Sequence, residues 1–348
     1  MVVLFLGAGA SAPFGYPVMS ELNNLLLNSI TDNEGDLLYH FYLNGNRDAE
    51  TVIQSIQTLE NIEQRGLDKL FNYVTYQGRK NQIGAEFKKF IIICKDLHRS
   101  IEAKIFDTYQ FNPNISSIFP LYQQLFTIIK EHQKNIGSND PLEVYTTNYD
   151  RIIEEFSYAS ENYSIYDGFE YDSKQQRHFW NPEFSAGKLT KELQTVINLY
   201  KLHGSLNWKK TDHGIERVTL EIKNVPRIRD LLIYPGSKSP PEEEPFRTLY
   251  EKFENQMKQK NKQSLLVIGF SFRDPYINKI IRDFIRSENG KLIVVSKNCK
   301  ETLARNLFGL KGIGDIDPYI QKGMISPIQF HFGESDWAIN LVERLRNI

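Results

Sequence analysis

Cysteine is scarce: Cys94 and Cys299 are the only two in 348 residues. Neither sits in a paired motif. That excludes a disulfide framework and a cysteine-based zinc site, and it fits a reducing, cytoplasmic setting. No His/Asp/Glu cluster has ligand spacing either, so no metal is expected. Long apolar runs are lacking too. None approaches the roughly 18–20 residues of a membrane-spanning helix, so a soluble chain with no membrane partner is expected. Neither sign of charge dominates, with 42 Lys and Arg against 43 Asp and Glu and a net charge of −1. Without a basic cluster, direct nucleic-acid binding is not expected. No Lys or Arg precedes Arg47. The apolar start therefore lacks the cationic region of a secretory signal and reads as a retained first strand.

What the chain does have is aromatic residues, 22 Phe and 18 Tyr, enough for a well-packed core. It also opens on an informative pattern. Val2-Val3-Leu4-Phe5-Leu6 breaks directly into Gly7-Ala8-Gly9-Ala10-Ser11. A short apolar strand, a glycine turn and a following helix make a phosphate-binding unit. Gly7 permits a tight turn, and Gly9 lets backbone N–H groups approach a pyrophosphate. The helix expected behind Ser11 would add free N–H donors and a positive dipole end. The same residues also read as a buried strand with a purely structural turn.

From about Ser20 to Lys134, leucines and isoleucines recur at helical spacing, as in Leu22–Ile30, Phe87–Leu97 and Ile118–Ile129. After Pro141 strands alternate with helices. Strands are expected at Leu142–Thr146, Val196–Lys201, Leu231–Tyr234, Leu265–Phe270, Leu292–Val295 and Gln329–Phe332. Helices are expected from Tyr149 to Tyr158, along the stripe Phe246, Leu249, Tyr250, Phe253 and Met257, from a cap at Asp274 to about Arg286, and over Trp337–Arg346. Apolar strands between helices mean a buried parallel sheet. The fold class is α/β, Rossmann-like, one domain over 1–348 with a large helical insertion at 20–135 after the first strand.

Ligands of such sheets bind beyond the carboxyl ends of the strands. Those ends carry Gly7–Ser11, then Thr146-Thr147-Asn148-Tyr149-Asp150, then His203-Gly204-Ser205, then Pro235-Gly236, then Gly269-Phe270-Ser271 with Asp274, then Ser296. Nearly every one is small, polar or ionisable.

Taken in order, GAGAS, TTNYD, KLHGSLNW and IGFSFRDP resemble the sirtuin-like NAD-binding proteins, and especially the bacterial branch that destroys NAD+ in antiviral defence, an abortive-infection response. The resemblance covers roughly residues 1–20 and 140–300. It implies NAD+ as substrate, with Gly7, Ala8, Gly9 and Ser11 on the pyrophosphate. It places Asn148 and Asp150, with Thr147 beside them, at the nicotinamide-side ribose, and His203 as catalytic base. Gly269 and Ser271 match the turn that holds the adenosine ribose, Ser296 closes the next strand, and Gly15 and Pro17 match the segment flanking nicotinamide. It also implies control by assembly: a homo-oligomer, or a partner such as a HerA-type ATPase or a short Argonaute.

Two departures weigh against protein deacylation. The two cysteine pairs that bind zinc beside the acyl-peptide groove are missing, and Val18-Met19-Ser20 replaces the usual Asp-Phe-Arg.

The chemistry can be argued without the resemblance. Cleaving nicotinamide from ribose passes through an oxocarbenium-like state. The pyridinium leaves readily, so the site needs a positioned water, a polar contact to the ribose hydroxyls and a base titrating near neutrality. His203 suits the base and Asn148 the positioning. Asp150 suits a helix start or an orienting carboxylate, and Asn148 could instead cap the helix at Ile152. The leading expectation is an NAD+ glycohydrolase. A deacylase or ADP-ribosyl transferase is the rival enzyme, and a non-catalytic NAD+ or ADP-ribose sensor is the rival of another class. A dehydrogenase is disfavoured, because no strand-closing acid follows the glycines at about twenty residues.

Overall fold

In the computed structural model the described residues are 1–43, 52–53, 55–56, 58–59, 82–109, 115–183, 195–218, 241–259, 263–287, 290–329, 332 and 337–346. They form two compact units. Among the described residues the first holds 1–16 and those from 115 onward, and the second those from 17 to 109.

The first unit starts with β1 (Val2–Leu6), buried along its whole length. The second unit contains α1 (Met19–Ser29), α2 (Asp32–Leu43) and α3 (Gln82–Tyr109), which pack on one another. There the Ser100 hydroxyl ties α3 to α2 by donating to Glu34 Oε2 at 2.6 Å. The chain returns to the first unit in α4 (Ile115–Asn135), β2 (Leu142–Thr146), α5 (Ile152–Tyr158) and β3 (Tyr163–Tyr166). α4 packs against α5, and Tyr122, Phe126, Phe156 and Tyr163 form one aromatic cluster.

Next come the short β4 (Phe169–Asp172) and β5 (Arg177–Trp180), then β6 (Thr195–Lys201), β7 (Trp208–Thr211) and β8 (Gly214–Arg217). α6 (Phe246–Met257), β9 (Gln263–Ile268), α7 (Pro275–Arg286) and β10 (Gly290–Val295) follow. The chain ends with α8 (Cys299–Thr302), a single π turn at Leu303–Leu307, α9 (Asp317–Gln321), β11 (Ile325–Ile328) and α10 (Trp337–Arg346).

Seven strands make one sheet in the order β11-β10-β9-β1-β2-β6-β3, and every pairing in it is parallel. The expected α/β, Rossmann-like sheet with a helical region after its first strand is what forms. Both faces of β1, β9 and β10 are covered, which is why they read as unbroken apolar runs. On one face Val3, Phe5, Tyr145, Val267 and Val294 meet Leu249, Phe253, Ile277, Ile281 and Phe284 of α6 and α7. The α7 residues recur at i, i+4 and i+7, the stripe a helix needs to lie on a sheet. Strand order reverses between β1 and β9, which makes the carboxyl ends of these two strands the switch point of the sheet. Sheets of this kind take their ligands there.

Several expectations are corrected. A four-stranded antiparallel sheet, β4-β5-β8-β7, was not expected at all. The last strand is Ile325–Ile328, not Gln329–Phe332; Pro327 argues against a strand, but β11 is a sheet edge, where a missing N–H is tolerated. The helix after β2 starts at Ile152 rather than Tyr149. Expected Leu231–Tyr234 and Pro235-Gly236 lie outside the described residues.

Candidate functional site at the carboxyl edge of the sheet

The turns that leave β1 and β9 are knitted together by their backbones. Gly7 N–H donates to Ile268 O at 2.9 Å and Gly9 N–H to Gly269 O at 2.9 Å. Ala10 N–H closes on Gly7 O at 2.9 Å and Ser11 N–H on Ala8 O at 3.1 Å. A Cβ on Gly9 would lie 2.8 Å from Gly269 Cα, and one on Gly7 2.5 Å from Phe270 Cα. These glycines are required because two backbones touch. Four N–H groups of the turn are also engaged internally.

The helix expected behind Ser11 is likewise corrected. Two 3-10 turns, Ala8–Ala10 and Ala12–Phe14, take its place, and the first α-helix starts only at Met19. The physical reason is local. Gly15 takes a left-handed φ of 89°, and Pro17 disfavours helical backbone at Tyr16. Ala8 and Gly9 stay half-exposed, so the turn still borders solvent.

The loop after β2 leans on this turn. Asn148 Nδ2 donates to Gly7 O at 3.0 Å and to Ser11 Oγ at 2.9 Å. A carbonyl needs a donor, so the amide orientation is forced. Asn148 Oδ1 has no partner among the described residues, and the residue is half-buried. It is an open acceptor on a fixed arm. The cap reading of Asn148 fails, because Ile152 N–H bonds to Asp150 Oδ1 at 3.1 Å. Ser11 Oγ passes the chain of bonds on, donating to Asp150 Oδ2 at 2.6 Å. Burial pushes the Asp150 carboxyl up, and the charge of Lys201 pulls the other way. Tyr16 is buried near the same carboxylate, and burial followed by the Asp150 charge holds its phenol well above the usual range.

Lys201 ends β6 with its ammonium sealed from water. It faces four acceptors: the Asp150 carbonyl, Glu154 Oε1 at 3.0 Å, Ser205 Oγ at 2.7 Å and, at the longest distance, the Tyr149 carbonyl at 3.5 Å. This cation therefore joins the loop after β2, the first turn of α5 and the turn after β6. Leu202 N–H adds a backbone tie to Thr146 O at 2.8 Å.

Two residues on, His203 is buried, and its Nε2 lies 3.2 Å from Asp274 Oδ2. The other oxygen of Asp274 accepts from Tyr276 N and Ile277 N, both at 2.9 Å, as the cap of α7. Tyr250 O–H donates to Oδ2 at 3.4 Å. Burial first, then the Asp274 charge, raises the Tyr250 phenol far above its ordinary value.

The remaining expected positions are spread along the same edge. Thr147 N–H bonds to Leu6 O at 3.2 Å. Gly269, with φ of 65°, is half-exposed, Ser271 is exposed, and Ser296 is half-exposed beside β11. Gly15 is exposed in the first unit. Pro17 opens the second unit, where Tyr109 O–H donates to its carbonyl at 3.2 Å.

Residues 142–309 match the family model of the SIR2-like domain. The match supports a sirtuin-like family and NAD+ use, and it spans Asn148, Asp150, Lys201, His203, Gly269 and Asp274. No curated protein matches the chain. Within the SIR2-like region Lys201, Glu154 and Tyr250 were missed on sequence. Lys201 did leave a signal, a lysine closing a strand that is otherwise apolar from Val196 on apart from Asn198. The half-exposed row of Ala8, Gly9, Thr147, Asn148, Gly269 and Ser296 along a buried sheet suits a long, polar dinucleotide.

Proposed function

We propose that this chain is an NAD+ glycohydrolase. The observation that carries the reading is the clamped amide of Asn148, whose Nδ2 is consumed by Gly7 and Ser11 and whose Oδ1 is left open. Such an oxygen accepts from a ribose hydroxyl and holds the sugar still while the glycosidic bond breaks. The SIR2-like match over 142–309 supports NAD+ as the nucleotide.

The balance is NAD+ plus water giving ADP-ribose, nicotinamide and one proton. Water oxygen bonds to the anomeric carbon as the bond to the pyridinium nitrogen breaks, and that electron pair leaves with nicotinamide. His203 takes the proton released by the water. Asn148 fixes the ribose, and Ser11 and Asp150 hold Asn148. Rapid loss of cellular NAD+ in antiphage defence is the role that fits such an activity, with assembly or a partner as its control.

Incubating the purified chain with NAD+, with and without an acetylated peptide, tests this by chromatography. Nicotinamide and ADP-ribose in equal amounts without peptide is the expected result. A product that forms only with peptide would make the chain a deacylase or transferase, and calorimetric binding without turnover would make it a sensor.

A further inference from the structure

We propose that Asp274 is a positioning residue for His203: it holds the imidazole in the Nε2–H tautomer and leaves Nδ1 as the proton acceptor. The step beyond pairing rests on the glycohydrolase reading; the pairing itself does not. A neutral imidazole carries one proton, and a carboxylate can only accept. With Nε2 at 3.2 Å from Asp274 Oδ2, that proton belongs on Nε2. His203 Nδ1 has no partner among the described residues, and the residue as a whole is only 2% exposed. The basic lone pair is therefore uncommitted among the described residues and can take a proton from a bound water or ribose hydroxyl.

Asp274 is well fixed for this work. Two backbone N–H bonds from the start of α7 hold Oδ1, and Tyr250 shares Oδ2 with the histidine. Both oxygens are thus committed, and the carboxylate cannot swing away without uncapping a helix. The capping role and the pairing role use different oxygens of one side chain.

Asp274→Asn separates these roles. Its single oxygen can keep the two cap bonds, which turns the amide N–H toward Nε2. That donor demands a lone pair there, so the ring proton moves to Nδ1 and the base is lost. A kcat decrease of about 100-fold or more is expected with NAD+ affinity unchanged, since a wrong tautomer disables the base but not the binding site.

The decisive measurement does not need turnover. Ring nitrogen-15 spectra of the full chain, with His203 assigned by its absence in His203→Gln, report which nitrogen carries the proton. The wild type should show Nε2–H and Asp274→Asn should show Nδ1–H. Asp274→Ser, which keeps a cap oxygen but cannot span to the ring, should lose the preference. A wild-type spectrum with Nδ1–H overturns the proposal whatever the variants do, and so does an unchanged tautomer in a folded Asp274→Asn. If the tautomer switches as expected but no protein cleaves NAD+, the pairing stands and the glycohydrolase reading falls.

Discussion

The ends of β1 and β6 lie two strands apart on one sheet edge and are built in opposite ways. At β1 the contact is backbone on backbone: Gly7 and Gly9 have no side chain because the turn after β9 occupies the space. At β6 it is side chain on side chain: Lys201 and His203 reach Glu154, Ser205 and Asp274 through buried polar atoms. The first end tolerates no added volume, and the second no missing charge. Asn148 bridges the two styles, one N–H on a glycine carbonyl and the other on a serine hydroxyl. A site of this kind is shaped by the turns and oriented by the network.

The comparison breaks hardest at Lys201. Replacing it with Met leaves Glu154 a buried, unpaired carboxylate and takes a donor from its other acceptors. A loss of about 3–5 kcal/mol is expected, the usual cost of halving a buried ion pair. Chemical denaturation measures it, and Lys201→Met with Glu154→Leu should recover part of the loss. Equal stability of the single variant and the wild type would show that the ammonium is not buried as described.

His203→Ala tests the same end on chemistry. Removing a general base costs about 10²–10⁴ in rate. NAD+ affinity by calorimetry should hold, because the glycine turns and Asn148 are untouched. Near-wild-type turnover in the folded variant would remove His203 from the mechanism.

Gly9→Ala tests the other end. Its Cβ would sit 2.8 Å from Gly269 Cα, and backbone has no rotamer with which to yield. A destabilisation of about 1–3 kcal/mol is expected, the range for overpacking. The sequence reading took this glycine as space for a pyrophosphate, so loss of binding in a bulky variant such as Gly9→Glu cannot be assigned to the ligand alone. Thermal melts of Gly9→Ala without nucleotide separate the two: an unchanged midpoint would return the glycine to a ligand role.

How much could be read beforehand follows the same division. Gly7–Ser11, Asn148 and His203 were legible because strand ends in a parallel sheet are marked locally, by an apolar run breaking into small or polar residues. The pairing of His203 with Asp274 spans 71 positions and leaves no periodic trace. Asp274 showed only its local role, the cap before Pro275. The sheet β4-β5-β8-β7 escaped for another reason: its strands are four residues each, as in Trp208–Thr211 and Gly214–Arg217, too short for alternation to stand out. The turn after β1 was placed correctly but given the wrong continuation, since the helix-breaking effect of Gly15 and Pro17 was not counted.

The smallest effect should come from Ser11→Ala, on the link between the two ends. It removes one of two anchors of the Asn148 amide and the short bond to Asp150 Oδ2. A stability loss of about 1–3 kcal/mol is expected where the carboxyl is ionised, the range for a hydrogen bond to a charged group. Turnover should fall far less than in Asn148→Ala, because the bond to Gly7 O still holds the amide. The pH dependence has a definite sign. Burial already raises the Asp150 carboxyl above the ordinary aspartate range, and Ser11 is among the groups that lower it. Without Ser11 the folded-state value climbs further. A raised carboxyl contributes stability that is full below the unfolded value and is lost as pH rises through the folded one. The deficit of Ser11→Ala against wild type should therefore grow as pH rises from the wild type's folded value to the variant's and level off above it. A deficit that stays constant over that range would mean that Ser11 acts on Asn148 alone.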